Sequence, residues 1–278
     1  MIHTIRFSGG RTSAFLVYEI ERLRNLGVFD KEDEFVYIFL DTGAEHPATY
    51  EFIKKVANDT KINLICLKAI IDPIKGNGVS YKQIDIDEIG VDMSIWESMV
   101  SKYGTPYIGG AFCTDRLKLT PVKKYCKDNY GAEENFDSWL GIRIDEPKRI
   151  RKHPGIFYLA DISDFEKQDI VDWWKKMPFD LTIDEHLGNC VFCIKKGAVK
   201  LALAERDEPK LAEQWINSIR DNAKEGSIIT NMYRNNNSLE NIIATFRSHS
   251  TEDLRTRVKN TKGFASGGCS ESCEAIPD

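Results

Sequence analysis

The sequence contains no long hydrophobic run and no excess of positive charge. No apolar stretch approaches the roughly 18 residues that a membrane-spanning helix needs, and the first residues, MIHTIRFSGG, lack the basic start and apolar run of a signal peptide. We therefore expect a cytoplasmic protein with no membrane partner. With 38 Lys and Arg against 43 Asp and Glu, the formal net charge of −5 excludes a chain that wraps nucleic acid through bulk positive charge.

Cysteine is scarce, with seven in 278 residues. In a reducing compartment cysteines are more often metal ligands or reactive thiols than disulfides, and an odd number cannot all pair within one chain. The hydrophobic content of 42% is sufficient for a packed core, and the length allows one large domain or two small ones.

Runs of strand-forming residues alternate with helical patterns in the first half of the chain. Such runs occur at 3–7, 35–40, 62–67 and 136–142, and amphipathic helical patterns follow the first two. This alternation predicts an α/β fold with an open, doubly wound parallel sheet and right-handed crossovers. Glycines between 69 and 110 predict loops and short helices over one end of that sheet.

Helical patterns dominate after residue 165 and continue to about residue 246. A tail rich in small residues follows from 260 and carries two of the cysteines. We therefore divide the chain into an α/β domain, 1–160, and a helical, cysteine-bearing region, 161–278.

A glycine-containing loop lies between the first predicted strand and its helix. Glycine lets the backbone approach a ligand, free N–H groups at a helix start bind anions, and hydroxyls add donors. The glycine spacing differs from that of the Walker A loop and of the dinucleotide fingerprint. The loop predicts a phosphate site, with a plain tight turn as the alternative; its residues are Ser8, Gly9, Gly10, Arg11, Thr12 and Ser13.

Four further motifs follow the loop in order. They are Asp41-Thr42-Gly43 at the end of the second predicted strand, Cys113-TDRLKLT-Pro121, Gly141-IRID-Glu146 and Leu159-Ala-Asp161. In order and spacing, the loop and these motifs resemble the phosphoadenosine phosphosulfate (PAPS) reductase family, particularly its phage-type members. That family is part of the adenine nucleotide alpha hydrolase superfamily. The resemblance covers roughly residues 3 to 200 and implies a Rossmann-like fold.

The resemblance implies an adenine nucleotide, ATP or PAPS, on the loop, with chemistry at the α-phosphate or at a sulfonyl group attached to it. Planar guanidinium groups suit such a ligand because they bind phosphate or sulfate oxygens through two donors. We assign Arg143 as the clamp on the reacting group, with Arg149 and Arg151 in support and Lys118 as a weaker candidate. If ATP is the substrate, Mg²⁺ is expected, and Asp41 is a possible partner for it.

The cysteines form a second group of candidate functional residues. Cys190 and Cys193 have the C-x₂-C spacing that places two thiolates on one metal. Cys113 lies in the motif whose equivalent position carries iron–sulfur ligands in assimilatory adenylyl-sulfate reductases. Those enzymes have two adjacent cysteines there, whereas this chain has Phe112-Cys113, so one ligand is missing. The resemblance favours a [4Fe–4S] cluster; zinc is the alternative.

The tail offers the fourth ligand. Cys269 follows two glycines, which relieve steric constraint at a metal, and we predict it as the fourth ligand. Cys273 then remains as a candidate catalytic or sulfur-carrying thiol. A three-cysteine cluster with an open iron is the alternative arrangement.

Three functions agree with these patterns. The first is an enzyme that cleaves ATP between the α- and β-phosphates and adenylates or thiolates an acceptor, which would be a nucleic acid or a protein. The second is an adenylyl-sulfate or PAPS reductase that releases sulfite, although the Glu-Cys-Gly-(Ile/Leu)-His ending of that family is absent. The third is a nucleotide-binding phage regulator without turnover. Each is compatible with an oligomer.

Overall fold

The computed structural model of the chain describes residues 1–224 and 232–260. Its centre is a six-stranded sheet in the order β4-β3-β2-β1-β5-β6. All neighbouring strands are parallel except β3 and β4, which are antiparallel. The strands are β1 (Ile2–Arg6), β2 (Glu34–Asp41), β3 (Leu64–Ile71), β4 (Val79–Ile84), β5 (Phe136–Leu140) and β6 (Ile156–Tyr158).

The chain order reverses beside β1. β2 and β3 continue the sheet on one side of β1, and β5 and β6 continue it on the other. In open α/β sheets such a switch point opens a crevice at the carboxyl ends of the strands, where ligands bind. The fold therefore directs attention to the segments that follow β1 and β5.

Helices cover both faces of the sheet. A π-helical turn, Asp115–Leu119, runs directly into α4. The helices are α1 (Arg11–Asn25), α2 (Pro47–Thr60), α3 (Ser94–Tyr103), α4 (Thr120–Tyr130), α5 (Lys167–Trp174), α6 (Ala198–Asp207), α7 (Pro209–Asn222), α8 (Leu239–Thr245) and α9 (Thr251–Asn260). Within the described residues, no helix is both long and apolar enough to cross a membrane.

The packing forms distinct apolar layers. Helices α1, α2 and α5 bury one face of the sheet, around residues such as Phe7 and Trp174. Helix α4 buries part of the other face against β2 and β3. A further core joins α3 to α6, α7, α8 and α9, and this core contains Cys113, Cys190 and Cys193.

The α/β architecture with a mostly parallel sheet is confirmed, but the sheet is mixed. The antiparallel edge strand β4 lies within the segment predicted as loops and short helices, whereas helix α3 agrees with that prediction. The short strand β6 was not predicted. The two strand patterns are weak because β4 has one buried residue and β6 has only three residues. Helix α9 was not predicted either, since only one of its residues is buried.

Candidate functional site

The loop after β1 has the backbone that its glycines permit. Gly9 has φ +82°, a conformation that other residues rarely adopt, and a side chain there would meet Thr49 and Ile53 of α2 at less than 3.0 Å. The Ser13 hydroxyl donates to the Gly10 carbonyl at 3.0 Å and accepts from the Ser8 N–H at 3.1 Å. The Ser13 hydroxyl therefore holds the loop in shape from within.

Gly10 caps α1 and leaves the helix start accessible. It has no side chain to cap the first turn, and a side chain at its position would enter open space. The first N–H groups of a helix have no intrahelical partner and carry partial positive charge, so they bind anions. On the opposite side, Gly141 allows the chain after β5 to approach closely, since a Cβ there would lie 2.9 Å from Ser13 Cα.

A cavity of about 250 Å³ opens at this helix start. It joins the loop after β1 to the segment after β5 and to Gly188 and Asn189, which immediately precede Cys190. Asn189 has φ +55°, a left-handed conformation that asparagine tolerates better than most residues. The predicted phosphate loop and the C-x₂-C segment are thus connected through one cavity.

Arg143, which was predicted as the clamp on the reacting group, lines this cavity and is 5% exposed. Its Nη1 donates to the Thr12 hydroxyl at 3.1 Å. Its Nε and Nη2 bind both oxygens of Asp145 at 2.8 and 3.1 Å, and Nη1 lies 3.2 Å from Glu146. A phosphate would therefore meet a guanidinium that is already oriented by carboxylates.

The other predicted cations differ in their positions. Arg149 lines the cavity and pairs with Glu146, whereas the side chain of Arg151 is exposed and its backbone bonds to Tyr158. Arg11 also lines the cavity, but it binds both oxygens of Asp180 at 2.7 and 2.9 Å. The cavity is therefore not strongly positive.

The Asp41-Thr42-Gly43 turn lies at the end of β2 and is buried. Asp41 accepts from the Gly43 N–H at 2.8 Å and from the Tyr50 hydroxyl at 3.1 Å. Burial, with the Glu45 carboxylate nearby, raises the pKa of Asp41. Gly43 is required by φ +71° and by contact with the backbone of Asp92. The turn is thus held by contacts with neighbouring groups of the protein. Its three residues do not line the cavity at the loop of Ser8 to Ser13.

Glu45 connects this turn to the cysteines. It forms an antiparallel bridge with Cys190, and its carboxylate lies 3.9 Å from the Cys190 sulfur. The Thr42 hydroxyl donates to Glu45 at 2.8 Å and lies 3.5 Å from the same sulfur. Lys118, predicted as a phosphate contact, lies 3.8 Å from Glu45. The side chains of Lys118 and Cys190 therefore both lie near the same carboxylate, that of Glu45.

The C-x₂-C segment is fixed by a buried lysine. Lys196 is 1% exposed, and its Nζ donates to the carbonyls of His186 at 2.7 Å and Val191 at 2.9 Å. The Cys193 N–H donates to the Cys190 carbonyl at 3.1 Å, which closes a turn between the two thiols. The loop that carries both cysteines is thus rigidly held.

Three of the predicted metal ligands lie in one part of the fold. Cys113, Cys190 and Cys193 are buried and share one apolar core. Buried thiolates hold both iron–sulfur clusters and zinc ions, and these three residues would be ligands of either.

Two relatives place the chain among known sequences. It is 45% identical over 282 residues to the "uncharacterized nin region protein ORF290" of Escherichia phage lambda, covering 99% of this chain and 95% of the relative. The chain belongs to the family of that lambda protein. It is also 25% identical over 237 residues to the "uncharacterized protein MJ0066" of Methanocaldococcus jannaschii, covering 81% of this chain but 42% of that protein. No family model matches the chain.

In this member of the ORF290 family, several site residues were not predicted from the sequence. Asp145 and Glu146 orient Arg143, and Glu45 and Lys196 surround the C-x₂-C segment. A signal existed for Glu45, which follows the strand-end turn by two residues, and for Lys196, which lies three residues after Cys193. Cys269 and Cys273 lie outside the described residues, so their assignments stay predictions.

Proposed function

We propose that the chain binds an adenine nucleotide with its phosphates on the loop of Ser8 to Ser13. The observation that carries this proposal is the open N-terminus of α1 at the floor of the 250 Å³ cavity, beside Arg143 and at the switch point of the sheet. Phosphate groups fit there because the helix start supplies N–H donors and Arg143 supplies a fixed positive charge.

The reaction that these groups support best is cleavage of ATP at its α-phosphate. An acceptor oxygen attacks the α-phosphorus, the bond to the bridging oxygen of the β-phosphate breaks, and pyrophosphate leaves with that electron pair. Negative charge accumulates on the phosphate oxygens in the transition state. The oriented guanidinium of Arg143 and the N–H groups of α1 would stabilise that charge.

Cys113, Cys190 and Cys193 would hold the proposed [4Fe–4S] cluster, with Cys269 as the sequence-predicted fourth ligand. When bound, such a cluster supplies sulfur or electrons for thiolation of the activated acceptor. The chain's own contribution is to bury the thiols in an apolar core and to hold their loop through Lys196.

A glycine substitution tests the nucleotide site without disturbing the fold. Gly10→Gln places a side chain in the open space at the start of α1, and it should lower ATP affinity at least tenfold by calorimetry, because it covers the N–H donors. Gly197→Gln is the matched control, since Gly197 also caps a helix, α6, and also faces open space. Equal ATP affinity in both variants would contradict the proposed site.

Product analysis separates the three functions. Release of pyrophosphate from ATP supports the proposed activity, whereas release of sulfite from PAPS identifies a reductase. Nucleotide binding with neither product favours the regulator. Anaerobic purification with iron and sulfide analysis tests the cluster independently, and a protein containing zinc without iron would overturn that part of the proposal.

A further inference from the structure

Arg6 occupies an unusual position at the end of β1, two residues before Ser8. Side chains alternate along a strand, so Arg6 points to the face opposite to Ile5, which packs with α1. Its register partners on the neighbouring strands are Ile38 and Leu140, and both are buried apolar residues. A cationic side chain therefore lies in an apolar row beside the proposed phosphate loop.

The guanidinium of Arg6 lacks a negative partner. Its Nη2 donates to the Ser138 hydroxyl at 3.2 Å, and its Nε is shielded from solvent with no hydrogen-bond partner. Within residues 1–224 and 232–260, Arg6 forms no ion pair. The neighbouring Cys126 does not balance the charge, because burial raises the pKa of its thiol and keeps it neutral near pH 7.

Arg6 is half-buried, and its shielded Nε–H group is unfavourable without a partner unless water or a ligand completes it. A guanidinium binds tetrahedral oxyanions well because two of its N–H groups match two oxygens. We infer that Arg6 forms a second oxyanion subsite, which takes a phosphate or sulfate group on the sheet face opposite to α1. That group belongs either to the nucleotide, in which case the inference rests on the proposed function, or to a free inorganic anion.

Thermal unfolding with inorganic phosphate, sulfate or chloride at equal ionic strength tests the subsite. Phosphate or sulfate should raise the unfolding temperature of the unaltered protein above its value in chloride, and Arg6→Met should reduce that rise by the part that the Arg6 subsite contributes. In chloride, Arg6→Met should be at least as stable as the unaltered protein, because it removes an uncompensated charge. Arg24→Met is the control, since Arg24 pairs with Glu21 and lies over the ring of Phe35.

A nucleotide titration identifies the source of the group. If the group belongs to the nucleotide, Arg6→Met should weaken ATP or PAPS binding about tenfold or more, as expected for a lost charge-assisted hydrogen bond. If no nucleotide binds but the phosphate or sulfate response depends on Arg6, the proposed function fails and the subsite stands. Unchanged responses to all four ligands in Arg6→Met, or in Arg6→Gln if the first variant does not fold, would overturn the subsite.

Discussion

The guanidinium of Arg143 is held by three neighbours before any ligand arrives. Asp145 takes two of its donors, Glu146 lies beside it, and Thr12 links it to the loop. Such an arrangement fixes the direction of a charge, and a preoriented charge stabilises a transition state without further reorganisation. The sequence predicted Arg143 because it follows an apolar strand; it could not predict which carboxylates would orient it.

Arg143→Lys tests this orientation. Lysine keeps the charge but has no planar fork, so it cannot bind Asp145 and reach Thr12 at the same time. We expect a loss of about 3 kcal/mol in transition-state stabilisation, or roughly a hundredfold slower pyrophosphate release, with little change in the unfolding temperature. Arg220→Lys, at an exposed pair with Asp221, provides the comparison. Full activity of Arg143→Lys would refute the clamp assignment.

At the scale of helices and strands, the sequence predicted the buried inner strands better than the edge strands. The strands β1, β2, β3 and β5 lie inside the sheet, each has buried residues, and the sequence predicts each within a few residues. The strands β4 and β6 form the two edges of the sheet, where one side of the backbone has no partner and the apolar pattern is incomplete. Edge strands carry a weaker signal because fewer of their positions need to be apolar.

The C-x₂-C loop is held by the buried side chain of Lys196, which donates to two backbone carbonyls. Lys196→Met would leave the carbonyls of His186 and Val191 without this donor, and we expect the free energy of unfolding to fall by about 2–3 kcal/mol. Iron content after anaerobic purification should fall as well, because the loop loses its fixed shape. Lys195→Met is the matched control at a more exposed neighbour. If both variants retain equal stability and iron, Lys196 does not hold the loop.

At the scale of the whole molecule, charged residues connect the C-terminal helices to the site. His186 lies 2.7 Å from Asp207 of α6, and Arg255 of α9 bonds to both Asp184 and Asp207. The potential metal-ligating atoms of Asp184, His186 and Asp207 lie within 4.8 Å of one another, and the guanidinium of Arg255 forms an ion pair with each of the two carboxylates. The cluster therefore joins α6, α9 and the segment before the C-x₂-C loop. Sequence patterns cannot reveal it, because its most distant members, Asp184 and Arg255, are 71 positions apart.

This cluster predicts a pH dependence of stability. Burial lowers the pKa of His186 below its usual 6.5, so between these two values the unfolded chain binds a proton that the folded protein does not. Stability should therefore decrease as pH falls below about 6.5. Urea unfolding at a series of pH values measures this, and the decrease should be smaller in His186→Gln than in His153→Gln, which alters an exposed histidine. Identical slopes in both variants would contradict the assignment.

The contact between α3 and α7 has a consequence for synthesis on the ribosome. Trp96 of α3 packs against Trp215 of α7, with ring centroids 4.7 Å apart. More than 100 residues separate Tyr103, the end of α3, from Pro209, the start of α7. At a synthesis rate of roughly 5–20 residues per second, several seconds or longer pass between the synthesis of α3 and that of α7. A nascent chain arrested before Pro209 would therefore still present Trp96, Met99 and Val100 to chaperones.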